Sequence, residues 1–322
     1  MIKIKQVLII SFLLSSVHGY SQNIFLKWFD RPFKNGDTSF IKSDPDLWSI
    51  RLNTTYKFNN YKIADPVSDS QSFFQGKTSI GFGAGFSFRN FNVDVAVKTH
   101  PYHTTHNFIV NGLKTDMVFS MYNHQHLLDG EAQFYDGYQE KQVQTLTLID
   151  DSVQAHVRNF GLHYDYLLNS KKISMTAAMM GTEIQLRSAG SLMCGGEVNY
   201  FHEFTKTDVT YPLIFAPPNL NIAQLGLSIG YAYTFVIKHH LFLMVNPTPS
   251  VTFVTGFGQP VQVEKGISFS LLNREAIGIN LNHVYVIASS VLTVQRSVVG
   301  LYSDEFYRDF GKQKVVIGYR FF

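Results

Sequence analysis

The sequence predicts an all-β fold, a closed antiparallel transmembrane β-barrel of about twelve strands, with fourteen as the alternative count. Three observations predict it. Apolar and polar residues alternate over long segments, the apolar series is rich in aromatic residues, and the last segment runs out in "KVVIGYRFF". Strand side chains point alternately to two faces, and a tilted strand of ~9–11 residues crosses a bilayer. Composition agrees, with 15% aromatic and only 16% charged residues among 322 and a mean hydropathy of -0.02.

The first segment sets the pattern. Trp48, Ile50, Leu52, Tyr56 and Phe58 share one face, and Ser49, Arg51, Asn53, Thr55 and Lys57 share the other. In the next, Ile80, Phe82, Ala84, Phe86 and Phe88 oppose a series of Gly, Ser and Arg89. After a turn at Asn90, Phe91, Val93, Val95 and Val97 oppose Asn92, Asp94, Ala96 and Lys98. Farther on, Leu225, Leu227, Ile229, Tyr231, Tyr233 and Phe235 alternate with small or polar residues. A soluble β-sandwich also alternates, but its strands are shorter, at roughly 5–6 residues. The secreted sandwich is therefore the second fold reading. In lipid every strand edge must be paired, which demands closure.

The expected strands are 47–58, 77–89, 91–100, 114–124, 130–139, 156–168, 172–184, 190–202, 222–236, 241–254, 266–281, 283–296 and 312–322. That list is odd in number, whereas bacterial barrels are even. Removing one false strand gives twelve; adding "DVTYPLIF" at 208–215, despite Pro212, gives fourteen. Short turns at Asn90, Asn169–Lys171 and Lys238–His240 are expected on the periplasmic side. Connections 59–76, 101–113 and 140–155 are expected on the extracellular side.

Residues 1–21 read as a signal peptide: Lys3 and Lys5, an apolar run from Val7 to Leu14, then Gly19 and Ser21 before a cut at Gln22. Residues 22–46 form an N-terminal segment and 47–322 the barrel. Cleavage removes two lysines and lowers the net charge from +3 to +1, a balance that suggests no nucleic-acid partner. No later run is long and apolar enough for a membrane helix. Cys194 is the single cysteine, so no intramolecular disulfide forms, and none lies near the cut to carry a lipid anchor.

In the last strand Val315, Ile317, Tyr319 and Phe321 face outward. This ending resembles the signal that barrel-assembly machinery reads, with Phe322 one residue beyond the usual final aromatic. Tyr319, Phe321 and Phe322 are therefore the expected assembly signal, and the machinery and outer-membrane lipid the expected partners. Several stretches together resemble an uncharacterised, domain-of-unknown-function family of outer-membrane barrels from Bacteroidota: "GFGAGFSFRNFNVDVAVK" at 81–98, "TEIQLRSAGSLMCGG" at 182–196, "GYAYTF" at 230–235 and "GYRF" at 318–321. The resemblance implies an outer-membrane location and supplies no catalytic residues.

Candidate chemistry is sparse. "HPYHTTH" offers His100, His103 and His106 as weak metal candidates, but residues three apart in an extended chain point to opposite faces, and Pro101 disfavours a helix. His239 and His240 diverge in a turn. Asp116, His124 and His126, or His163 beside Asp165, are imaginable as acid–base groups of a barrel that hydrolyses lipid or peptide, although no spacing singles them out. No cofactor is implied. The inward charges are more informative as a group: Arg51, Lys57, Arg89, Lys98 and Arg187 against Asp94, Asp116, Asp165, Glu183 and Glu197. Such a network either braces a narrow lumen or lines a small passage. The apolar loop Tyr211–Leu220 is a candidate plug or membrane-resting loop. The expected function is a small pore or a structural or binding component of the outer membrane, with an outer-membrane barrel enzyme that hydrolyses lipid or peptide as the alternative.

Overall fold

A computed structural model of the chain describes residues 36–43, 48–65, 70–76, 79–88, 91–99, 115–122, 125–136, 138–142, 155–205, 219–238, 240–257, 264–298 and 305–321. In chain order the strands are β1 (Ile41–Lys42), β2 (Trp48–Asp65), β3 (Ser70–Gly76), β4 (Ser79–Phe88), β5 (Phe91–Thr99), β6 (Thr115–Tyr122), β7 (His126–Asp136), β8 (Tyr138–Gln142) and β9 (Ala155–Leu167). After helix α1 (Met175–Met179) come β10 (Ile184–Gln185), β11 (Ala189–Thr205), β12 (Asn219–Ile237), β13 (Leu241–Phe257), β14 (Glu264–Leu281), β15 (Val284–Val298) and β16 (Glu305–Phe321).

The main sheet has fourteen strands in the order β5-β4-β2-β16-β15-β14-β13-β12-β11-β9-β7-β6, with β3 paired to β2 and β8. β3 and β4 both lie along β2, and only residues 77–78 separate them. Residue 137 alone separates β7 from β8. With each of those pairs counted as one stave, the fourteen strands make twelve. The two flanks of the sheet meet where β3 pairs with β8, from Ser72↔Gln142 to Gly76↔Tyr138. β2 and β16 pair from Trp48↔Phe321 to Ala64↔Glu305. At one end of that ladder the rings of Trp48 and Phe321 stack with centroids 4.0 Å apart.

The alternation is inverted relative to a soluble protein. On β12, Leu227 is 77% exposed, whereas Gln224 is 5% and Thr234 0% exposed. A sandwich buries its apolar faces between two sheets; here the buried face is polar and the exposed face apolar, so the sandwich reading is wrong. One sheet curls around its own polar side.

Two prolines sit inside the central strand β13. The β12–β13 partners run from Asn221↔Phe257 to Ser228↔Ser250 and resume, in the same register, at Tyr233↔Val245. The break coincides with Pro247 and Pro249, whose nitrogens have no hydrogen to donate to the ladder. On the other side β14 pairs with both prolines without interruption.

The expected strand at 172–184 is not a strand, and Asn169–Lys171 is not a hairpin turn between two crossings. Together they belong to an inward segment between β9 and β11. Ile173, Met175, Ala177 and Met179 have a strand's spacing, but Ser174, Thr176 and Ala178 between them are buried too. Burial on every side means that the segment lies within the lumen, where no alternation is required. Local signals favour a helix. The Ser174 side chain accepts from Ala177 N at 2.9 Å as an N-cap, alanine and methionine follow, and Gly181 at φ 72 ends it.

This segment packs Ile173, Met175, Ala178 and Met179 against Tyr122, Leu127, Leu167, Met193, Phe242 and Tyr285. The N-terminal stretch joins it. β1 pairs with β10, and Asp37 N donates to Lys171 O at 2.8 Å. The hydroxyl and backbone N–H of Ser39 hold the Asp37 carboxyl below the usual range. Connection 59–76 is also shorter than expected, because β2 and β3 extend through most of it. Residues 1–35, the 101–113 connection, 208–215 and Phe322 lie outside the described residues.

Gly181→Ala should dislodge this plug. The left-handed backbone costs a non-glycine residue about 1–2 kcal/mol, and a methyl group there would overlap the Tyr285 ring. The expected outcome is protease cleavage within 170–188 in a barrel that still migrates as folded on unheated gels; an unchanged cleavage pattern would contradict the packing.

Candidate functional site

Three buried arginines lie at different heights along the lumen. Arg274, Arg308 and Arg320 are among the largest fully buried side chains of the described residues. Arg274 sits on β14, where the other inward residues include Ser268, Ser270, Ala276 and Gly278, small side chains that leave its guanidinium room to cross. Nε and Nη2 donate to Asp129 Oδ2 at 3.1 and 2.7 Å, and Nη1 donates to Asp165 Oδ2 and Asn246 Oδ1, each at 3.0 Å. Asp129 is on β7 and Asp165 on β9, with β13, β12 and β11 intervening in the sheet. These bonds therefore cross the lumen.

Each carboxylate has further donors. Tyr122 Oη and Ser120 Oγ donate to Asp129 Oδ1 at 2.7 and 2.6 Å, and Ser228 Oγ donates to Asp165 Oδ1 at 3.2 Å. His163 is two residues before Asp165 on the same face, and its Nε2 is 2.9 Å from Asp165 Oδ2. Glu197, the β11 partner of His163, has Oε2 3.6 Å from Nδ1. Its other oxygen accepts from Ser250 Oγ at 2.6 Å and Ser270 Oγ at 2.7 Å.

Chemically this arrangement is a brace of ion pairs and hydrogen bonds across the lumen. The two serines donate to Glu197, and the imidazole faces Asp165 and Glu197, so among the described residues these serines serve the carboxylate and not the histidine.

The other arginines tie the remaining heights. Arg308 Nη1 donates across to Asn159 Oδ1 on β9 at 3.0 Å, and its guanidinium lies 4.1 Å from the Phe310 ring centroid. Arg320 holds the plug. Its Nε donates to Gly181 O at 2.5 Å and its Nη2 to Asn280 Oδ1 at 2.6 Å, with Tyr285 beneath it at 4.5 Å. A cavity of about 90 Å³ is lined by Lys57, Lys312, Asp129, Glu131, His163 and Glu197 together with Leu272, Val291 and Phe310. Lys57 and Lys312 are direct cross-strand partners.

The residues expected from sequence separate into several groups. Arg51 is buried on β2, its Nη1 donating to Ser87 Oγ. Asp165, Glu197 and Lys57 face the lumen as described. Glu183 lies in the plug, accepting from Ser174 Oγ and, at 2.8 Å, from Thr176 Oγ1. Arg187 does not face the lumen; it is exposed, with its guanidinium 5.9 Å from the Phe40 ring centroid. The reason is that 186–188 belongs to the plug's return and not to a crossing strand.

Asp94, Lys98 and Asp116 have backbone partners Gly85, Gly81 and Gln133; their side chains, and Arg89, lie outside the described residues. So do His100, His103, His106, His124 and His239. His126 Nδ1 is 2.8 Å from Tyr164 Oη, and His240 Nδ1 donates to Asn280 O at 3.0 Å. Sequence reasoning missed Asp129, Arg274, Arg308 and Arg320. For Arg274 the available signal was a lone long cation in an inward series, from Ser268 to Asn280, of otherwise uncharged, mostly small residues that also holds Leu272.

The model of a family described as Domain of unknown function (DUF4421) matches residues 35–321. No protein of curated function matches the sequence. Among solved structures, the outer membrane protease OmpT from Escherichia coli aligns at 8% identity and TM-score 0.35, covering 86% of this chain and 97% of its own. The transport unit of the autotransporter AIDA-I from Escherichia coli aligns at 9% identity and TM-score 0.30, covering 86% and 90%. The toluene transporter TodX of P. putida aligns at 9% identity and TM-score 0.24, again covering 86% and 90%. At such scores no activity passes from them to this chain.

Removing one member of a buried ion pair strands the others and costs about 3–5 kcal/mol. Arg274→Ala should therefore lower the temperature at which the folded gel band is lost, and Arg274→Met combined with Asp129→Asn and Asp165→Asn should recover much of it. An Arg274→Ala variant as heat-resistant as the parent would show that the network does not brace the wall.

Proposed function

The chain belongs to the DUF4421 family, whose description assigns no activity, and from the geometry we propose an outer-membrane β-barrel with a stoppered lumen, acting as a structural or binding component. One observation carries this reading: α1 and its flanks fill one end of the curled sheet with packed apolar side chains. That arrangement favours a binding or structural role over a conducting pore, and the contacts of His163 favour it over hydrolysis.

The membrane setting is supported by the exposed apolar face, in which Leu52, Leu227, Phe253 and Phe269 are each more than half exposed. A soluble monomer rarely tolerates such a surface. We place the short turns 238–240 and 282–283, and with them the plug, on the periplasmic side, following the usual asymmetry of such barrels. The cavity lined by Lys57, Lys312 and Glu197 then lies on the exterior side of the plug. On this reading residues 1–21 are a signal peptide cleaved before Gln22, and the source is a Gram-negative bacterium of the Bacteroidota, as the sequence resemblance implies. Tyr319, Phe321 and Phe322 serve as the assembly signal.

Planar-bilayer recording tests the stopper. The intact protein should give no steady conductance, and replacing 170–187 by a short Gly-Asn turn should open one. Steady conductance of the intact protein would contradict the proposal and make it a pore.

A further inference from the structure

The outward face of β14 is interrupted. Ile267, Phe269 and Leu271 are exposed toward one end, and Ile277, Ile279 and Leu281 toward the other. Between them, in the same outward series, stand Asn273 and the exposed Glu275, with Asn273 Nδ2 donating to Glu275 Oε1 at 2.6 Å. The register extends this polar interruption sideways. Glu275 is paired with Ser290 on β15, Ser290 with Gln313 on β16, and Gln313 with Tyr56 on β2.

A groove of about 420 Å³ follows this row on the outer wall. Ala288 and Ser290 line it with small side chains, and Leu243, Ile277 and Val315 line it with apolar ones. Lys314 also borders the groove, but it belongs to the inward series of β16 with the buried Val316 and Arg320.

Asn273 satisfies one oxygen of Glu275, but a carboxylate among apolar residues facing lipid is stabilised further by a cation. The volume lies within the range of small-molecule clefts, about 300–1,000 Å³. A second copy of the chain is a poor occupant, because a two-fold contact centred here would bring two Glu275 carboxylates together. We propose that this groove is a lipid-side binding site for an amphipathic amine, with the ammonium on Glu275 beside Gln313 and the aliphatic chain along Leu243, Ile277 and Val315. The site rests on the reading that this wall faces lipid.

The test is native mass spectrometry of the folded protein released from neutral-detergent micelles, titrated with dodecylamine and in parallel with dodecanol. One dodecylammonium should bind saturably, and dodecanol at least tenfold more weakly. Glu275→Gln, which keeps the shape, and Ala288→Trp, which fills the groove, should each weaken amine binding at least tenfold while the gel band remains heat-modifiable. Equal binding of both probes, no saturable amine binding, or unchanged affinity in Glu275→Gln would overturn the site, as would a dimer that Glu275→Gln dissociates. Flotation with lipid vesicles keeps the premise separate: protein that fails to float contradicts the membrane reading, whereas protein that floats without discriminating between the probes contradicts only the amine site.

Discussion

Every feature of this protein depends on the two-residue period of the β backbone held in one register. Because successive side chains take opposite faces, one register decides where all of them go. The partners Gly226↔Thr252 and Thr252↔Ser268 place small polar residues together inside, while Leu225↔Phe253 and Phe253↔Ile267 place apolar ones together outside. A slip of one residue in β14 would turn Arg274 outward and Glu275 into the lumen. The register is therefore not a detail of pairing but the source of both the polar interior and the apolar wall.

Given that register, the interior must solve an electrostatic problem. Charges removed from water need partners, and the curled sheet brings distant strands close enough to provide them. Arg274 reaches two carboxylates on the far wall, Arg308 reaches Asn159, and Arg320 reaches the carbonyl of Gly181 in the plug. Such ties run through the interior of the curled sheet. The plug adds apolar packing at one end, continuous with Met193, Met244 and Ala276 on the wall. Bracing by the arginines and packing by the plug thus share the interior, joined where Arg320 meets the Gly181 carbonyl.

Local alternation was legible in the sequence, and so were the strands that depend on it alone. β2, β4 and β12 were readable because their outward residues are almost unbroken apolar series, and β14 because its series resumes in the same period after Asn273 and Glu275. The segment 172–184 was misread because period-two spacing in a fully buried helix imitates a strand, and the corrective signals, Ser174 as a cap and Gly181 as a terminator, are single residues. The extension of β2 and β3 beyond Phe58 was missed because polar residues there no longer mark two different faces. Arg187 was misplaced as a consequence of the false strand. The partners of Arg274 could not be read at all, since Asp129 and Asp165 meet it through curvature, a property of the whole sheet and not of any segment. Glu275 escaped notice because one charge in a long apolar series does not disturb its period.

The central claim is that the apolar outer face meets hydrocarbon. Cys194, the single cysteine of the chain, is exposed in the outward series of β11 between Leu192 and Val198, which are each 52% exposed. A nitroxide attached to its thiol in vesicle-reconstituted protein can be relaxed by oxygen, which concentrates in hydrocarbon, or by a water-soluble nickel chelate. The account predicts relaxation dominated by oxygen, with the nickel chelate nearly without effect; relaxation dominated by nickel would place this wall in water and contradict it.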